Sequence, residues 1–416
     1  MKKLLSITLA LFGICLNAQE VAFEYPAPNY IKSIQFNVAE QNTLPLYRMN
    51  ERIDFSFDDL EADEKNYYYE IQHYDSDWTL SDLSKNDYME GYDGVRIFDY
   101  VNSYGTLQPY NHFMLSIPND YTRRLKVSGN YMLFIYDDYD DLVFSKRFFI
   151  AEDLSNVQIE IKRSRDVRQI NTHQMVNYRV TPRGIQFIDP NSTVKTVIYQ
   201  NGNINRPLIA PKPQFNVGQE LLYRYGPETT FAAGNEFLFF ESRDIRTPTI
   251  RINFIEFENG IYQHYLFTDA NRSSQSYTYY PDINGNFKIT TTNNVEVERN
   301  ADYVRVHFAL VTLPPKAGSE IHLYGNFNQY NLTEDTLMRF NEDSGMYEGS
   351  LLLKQGFYNY KYVVLEPNGN LEEGFISGNY WQTENAYHVL AYYREPGSRF
   401  DRLLGVGLAT SVDISN

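Results

Sequence analysis

Cysteine is nearly absent from this chain. Its 416 residues hold one, Cys15, so an internal disulfide and a thiolate metal cluster are excluded. Basic residues are outnumbered, 37 against 53 acidic ones, for a net charge of −16. Such a surface is repelled by nucleic acid and by anionic membranes. Histidines are sparse and scattered. His73, His112, His173, His264, His307, His322 and His388 include no pair within five residues. Zinc sites usually carry at least one short ligand pair, so no metal site is expected. No apolar run after residue 18 is long enough to span a bilayer as a helix. The chain also lacks G-x-S-x-G, H-E-x-x-H and a phosphate-binding glycine loop. No catalytic residue and no cofactor is expected. Paired carboxylates carry no signal at sequence level, because their spacing is set in three dimensions.

The first eighteen residues read as a signal peptide. Lys2 and Lys3 are followed by an apolar stretch from Leu4 to Cys15, with cleavage expected near Ala18-Gln19. The mature chain then has 35 basic residues against 53 acidic ones, and no cysteine for catalysis. Cleavage before Cys15 would instead offer a lipid-accepting thiol, but Ile14 is larger than that position usually takes.

Alternation of period two runs nearly throughout. Ile34, Phe36 and Val38 alternate with polar residues, as do Ile53, Phe55 and Phe57, and Val157, Ile159 and Ile161. Ile250, Ile252 and Phe254 follow the pattern, and so do Val304, Val306, Phe308 and Leu310. This predicts antiparallel sheets with one face on a core. The abundant Tyr and Phe suit pleated surfaces. No dozen residues show a helical stripe; a short turn of helix is expected within Thr79–Met89. Asn201-Gly202-Asn203, Asn284-Gly285-Asn286 and Pro367-Asn368-Gly369-Asn370 mark turns. The fold class is therefore all-β, as tandem immunoglobulin-like β-sandwich domains. Boundaries are expected at 19–153, 154–296 and 297–416, with a long aromatic loop at 76–110.

Asp137-Asp138-Tyr139-Asp140-Asp141 is the sharpest acidic cluster. A calcium loop would want several such oxygens, but its glycine and spacing pattern is missing, and the cluster reads as a solvated hairpin tip.

Two family resemblances follow from particular residues. Ile321-His322-Leu323-Tyr324-Gly325-Asn326-Phe327-Asn328, then Gly356-Phe357-Tyr358-Asn359-Tyr360-Lys361-Tyr362, resembles the early-set sandwich of glycogen-binding modules. In those modules aromatics stack on sugar rings. The resemblance implies Tyr330, and more remotely Trp381, as sugar-stacking candidates in an alternative carbohydrate-binding reading. Fold alone does not carry that function.

The other resemblance runs from about residue 21 to the C-terminus and is most specific over residues 28 to 150. Pro28-Asn29-Tyr30-Ile31-Lys32-Ser33-Ile34 opens that stretch. Asp77-Trp78, Leu83-Ser84-Lys85-Asn86, Glu90-Gly91, Asp99-Tyr100, Asn102-Ser103 and Leu107-Gln108-Pro109-Tyr110 follow in order. The segment resembles the N-terminal domain of the type IX secretion system plug protein family. That resemblance implies a non-enzymatic, monomeric, periplasmic protein. Its partner would be a very large outer-membrane β-barrel translocon, with no membrane insertion by the plug itself. Interfaces are usually anchored by aromatics and arginine, which makes Trp78, Lys85, Tyr92, Arg96 and Tyr100 the partner-binding candidates. Against that stands self-packing of Trp78 and Tyr100 on their own domain, and pairing of Arg96 with Asp93 or Asp99.

Overall fold

The computed structural model describes residues 22–38 and 44–414. The signal-peptide reading, its cleavage site and Cys15 lie outside them. Among the described residues, no helix is long and apolar enough to cross a membrane.

The alternating pattern becomes strands with one buried face. In Tyr303–Val311 the residues Val304, Val306, Phe308 and Leu310 are buried, while Arg305, His307 and Ala309 are half-exposed. One expected stripe breaks. Ile252 is buried, but Ile250 and Phe254 are exposed. The register shifts between Ile252 and Phe254, and the extra residue turns Phe254 outward.

The first sandwich packs two sheets. One runs Ile31–Phe36, Ile53–Asp59, Asn111–Ile117, Asp99–Asn102. The other runs Leu46–Arg48, Leu142–Ala151, Gly129–Tyr136, Tyr68–Tyr74, Val95–Arg96. An aromatic core lies between them, with Phe57 and Phe113 stacked at 5.2 Å and Tyr67 edge-on to both.

Residues 76–110, expected as a loop, are mostly structured. Lys85–Tyr88 is a helical turn opened by a Ser84–Asp87 capping box. Val95–Arg96 adds a strand to one sheet and Asp99–Asn102 to the other, while Met89–Gly91 pairs with Thr122–Leu125. The long connection is thereby held to both sheets of its domain.

The expected divide at 296 does not follow the sheets. The second sandwich sets Ser155–Arg163, His173–Pro182, Glu220–Tyr223 and Phe215–Val217 against a sheet of Leu208–Ile209, Val194–Gln200, Ala386–Tyr393 and Arg402–Thr410. Its last two strands come from the C-terminus. The third sandwich is inserted between Thr230–Ala232 and Ala386–Tyr393. Its eleven strands run from Leu238–Glu241 to Leu371–Glu372, with Leu238–Glu241 and Phe287–Ile289 both paired to Gly356–Leu365. Strand pairing is non-local, so chain order does not reveal an insertion.

All eight residues of Ala386–Tyr393 are buried. Tyr387, Val389, Ala391 and Tyr393 face the second core. Leu390 and Tyr392 join Val197 and Tyr199 on the opposite face, against Tyr74, Trp78 and Phe149 of the first sandwich. The interface thus resembles a core rather than two wet surfaces. Trp78 is 5 % exposed within it, with its ring 5.5 Å from Phe149 and Arg147 at 5.1 Å over its face. Trp78→Ala is expected to cost about 3–5 kcal/mol by opening a cavity in this interface. Urea unfolding checks it, and a loss under about 1 kcal/mol would refute that role.

Candidate functional site

Polar groups brace the sandwiches where they meet. Asp58 is fully buried. Its Oδ1 is 2.5 Å from His112 Nδ1, and its Oδ2 accepts from the Tyr303 hydroxyl at 2.6 Å and Lys354 Nζ at 2.7 Å. Lys354 also donates to the Glu298 carbonyl and lies 4.0 Å over the Tyr110 ring. Burial alone would raise the Asp58 pKa, but Lys354 and His112 outweigh it and hold the carboxyl below its ordinary range. Burial lowers the Lys354 pKa against the pull of Asp58. Asp302 accepts from the amides of Leu107 (2.6 Å) and Gln108 (3.1 Å), and Asp401 accepts from Ser76. A cleft of about 930 Å³ opens where the three sandwiches meet, lined among others by Ser33, His112, Lys146, Ile204, Asn286 and Lys354. Two of its lysines are engaged in ion pairs. Lys146 pairs with Glu24 at 2.7 Å and with Gln329, as Lys354 does with Asp58. These contacts tie the domains together.

The partner-binding candidates separate into two groups. Trp78 is interior, as described above. Lys85 bridges Asp93 at 2.7 Å and Glu70 at 3.5 Å, which ties the 76–110 segment to strand Tyr68–Tyr74. Tyr100 stacks on Phe113 at 5.3 Å and its hydroxyl donates to Glu64. Tyr92 and Arg96 instead belong to one aromatic cluster at the surface. Tyr92 is 59 % exposed and sits edge-on to Tyr121 at 5.7 Å. Phe98, 57 % exposed, stacks on the same Tyr121 at 6.1 Å, and the Arg96 guanidinium lies 5.7 Å over the Phe98 ring. Arg96 pairs with neither Asp93 nor Asp99, since Asp93 is taken by Lys85, and it makes no ion pair with a described residue.

Gly91 makes this cluster possible. Its φ is +99°, and a Cβ there would fall 1.9 Å from the Tyr121 carbonyl oxygen. The close approach lets the Tyr92 amide donate to that carbonyl at 3.0 Å. Sequence reasoning missed Phe98 and Tyr121. Tyr92, Phe98 and Tyr121 lie on three separate segments, and no periodicity links them.

Tyr330 does not offer a face to a sugar. It is buried against Tyr324 at 5.0 Å, and its hydroxyl donates to the Asn201 carbonyl of the second sandwich at 3.0 Å. The early-set aromatic is used up in a domain joint. Trp381 is half-buried under the Arg163 guanidinium at 4.6 Å. Asp137–Asp141 is a hairpin tip in which Asp137 Oδ1 accepts from the amides of Tyr139 and Asp141. A second acidic group, Asp59, Glu61 and Asp63, gathers around the ammonium of Lys65.

A family model described as the type 9 secretion system plug protein 1st domain matches residues 31–152. Residues 31–152 are thus a first domain of the type 9 secretion system plug protein family. The match ends where the first sandwich closes, and it contains Tyr92, Phe98, Tyr121 and Arg96. A crystal structure of a hypothetical protein from Parabacteroides merdae is similar over the whole three-domain arrangement. It is 31 % identical, with a TM-score of 0.88, over 93 % of this chain and 99 % of that one. Trypsin-activated alpha-2-macroglobulin from Escherichia coli aligns at 9 % identity over 94 % of this chain and 29 % of that one. Its TM-score of 0.17 carries no fold argument. No curated protein matches the chain. The plug-family domain is thus the part of the molecule with a functional association.

Proposed function

We propose that this chain is a non-enzymatic periplasmic plug. It closes the periplasmic opening of the giant outer-membrane barrel of the type IX translocon when no cargo is engaged. The observation that carries this reading is the plug-family match over the first sandwich. A barrel wide enough for folded cargo would leak small solutes if left open. Stopping that leak needs a rigid, water-soluble body and no chemistry. The buried joints around Asp58, Trp78 and Asp401 give such a body, because separating the sandwiches would expose paired charges and aromatic rings. Cargo would displace the plug by competing for one opening, a population shift.

The face centred on Tyr92, Phe98 and Tyr121 is the docking surface we assign to the barrel. Exposed aromatics beside an unpaired arginine are the usual composition of an interface hot spot.

Deleting the gene is expected to raise uptake of large hydrophilic antibiotics, provided the channel is still made. Unchanged uptake would count against the plug. Wild-type protein purified from membranes in mild detergent should bring a giant barrel with it. The Tyr92→Ala/Phe98→Ala pair should lose that recovery by at least about tenfold, the scale of one or two hot-spot residues. If the pair recovers the barrel as well as wild type, the docking face is wrong while the plug stands.

A further inference from the structure

The chain passes between the second and third sandwiches twice, at 233–237 and at 380–385. The two passages touch directly. The Tyr380 amide and the Thr383 hydroxyl donate to the Gly234 carbonyl at 2.8 and 2.9 Å, and Asn385 Nδ2 donates to the Ala233 carbonyl at 2.8 Å. Carboxylates gather at this double crossing. Glu236 stands on the outgoing passage, Glu384 on the returning one, and Asp282 on the turn beside them.

Glu236 is 1 % exposed. Its Oε1 accepts from the Tyr277 hydroxyl at 2.5 Å and the Glu384 amide at 3.0 Å, while its Oε2 has no partner. Asp282 accepts from the amides of Phe237 (2.6 Å) and Asn284 (2.7 Å). Glu384 accepts from Asn284 Nδ2. None of the three makes an ion pair with a described residue. The half-buried Arg272 is the facing cation, but its guanidinium donates to the Glu236 carbonyl and is shared with Asp269. Lys361 and Arg206, near the adjoining Phe237 and Tyr324, are both engaged by Glu373. Of the remaining titratable neighbours, Tyr277, Tyr324, Tyr330 and Tyr380 carry no positive charge, Arg163 stacks on Trp381 and donates to the Ile170 carbonyl, and His173, on the strand paired with Ala232, is hydrogen-bonded to the Thr172 hydroxyl.

We propose that this double crossing is a proton-operated joint. Glu236, Asp282 and Glu384 hold the second and third sandwiches together while they keep a proton among them, and the joint loosens when all three ionise. The chemistry leaves few alternatives. Three negative charges at a half-buried hinge with one shared arginine repel one another at low dielectric. Burial raises the pKa of all three, and the charges of Glu236 and Glu384 add to it at Asp282, which is pushed up to about 7. A carboxyl whose folded pKa is raised favours the closed joint fully below its unfolded value near 4. That contribution is lost as the pH climbs through about 7. The proposal stands on the joint alone and does not need the plug reading.

Hydrogen–deuterium exchange on the full chain in EDTA tests it, with protection corrected for intrinsic rates. Protection of 233–237 and 380–385 is expected to fall on the order of tenfold or more between pH 5.5 and pH 8, while Gly129–Tyr136 in the first sandwich stays constant. Glu236→Gln and Asp282→Asn are near-isosteric and should each retain at pH 8 most of the protection seen at pH 5.5. Equal protection at both pH values in wild type would overturn the proposal. So would a pH response that persists unchanged in both variants, or full protection restored at pH 8 when calcium replaces the EDTA, which would make the joint a metal site.

Discussion

Lys354→Met is expected to lower the unfolding free energy by about 3–5 kcal/mol, the usual cost of breaking a buried ion pair by removing one partner. The ammonium and its carboxylate partner are 2 % and 0 % exposed and 2.7 Å apart. Removing the ammonium leaves a buried carboxylate with only the Tyr303 hydroxyl and His112 to stabilise it. The Glu298 carbonyl and the Tyr110 ring lose their cation as well. The Asp58→Asn/Lys354→Met double variant removes both charges and should recover more than half of the loss, because most of the penalty is the orphaned charge rather than the pair's own attraction. Urea unfolding of both variants at pH 7.5 measures this. A double variant no more stable than the single would show that packing, not charge, dominates the site. Because Asp58 belongs to the first sandwich and Lys354 to the third, the single variant should also uncouple their unfolding.

The stability difference between wild type and His388→Leu should change by about 2–3 kcal/mol between pH 7.5 and pH 4.5. His388 is fully buried, neither ring nitrogen has a hydrogen-bond partner among the described residues, and burial pushes its pKa down to about 4. The unfolded imidazole titrates near 6.5. Unfolding therefore takes up a proton below pH 6.5, and the wild type loses this stability as the pH falls from 6.5 toward 4. Leucine cannot take up that proton, so the variant gains on wild type as the solution is acidified. The difference must be measured rather than wild type alone. His73, also pushed to about 4 by burial, acts in the same sense, while Asp282, pushed up to about 7, acts in the opposite one. A pH-independent difference would mean that His388 is not held neutral.

Much of the fold was legible before any coordinates. The stripe Val304, Val306, Phe308, Leu310 is a buried face because a pleated strand sends alternate side chains to one side. The helical turn expected within Thr79–Met89 is Lys85–Tyr88. The family segments from Pro28 to Tyr110 were readable as a string of residues. The candidate site was half legible. Tyr92 and Arg96 reached the surface cluster, but Trp78 and Tyr330, which look equally suited to binding, are buried in joints between domains.

The sequence by itself determined the all-β class, the strand faces and the plug-family first domain, since each rests on local order along the chain. Only the tertiary structure decided that Ala386–Tyr393 completes the second sandwich, and that the third is inserted between its strands. It alone decided which aromatics face water, and that Glu236 and Glu384 meet at one hinge. The physical reason is the same in each case. Alternation is a property of neighbours in sequence, whereas strand partners, domain joints and clustered charges are contacts between residues that chain order does not link.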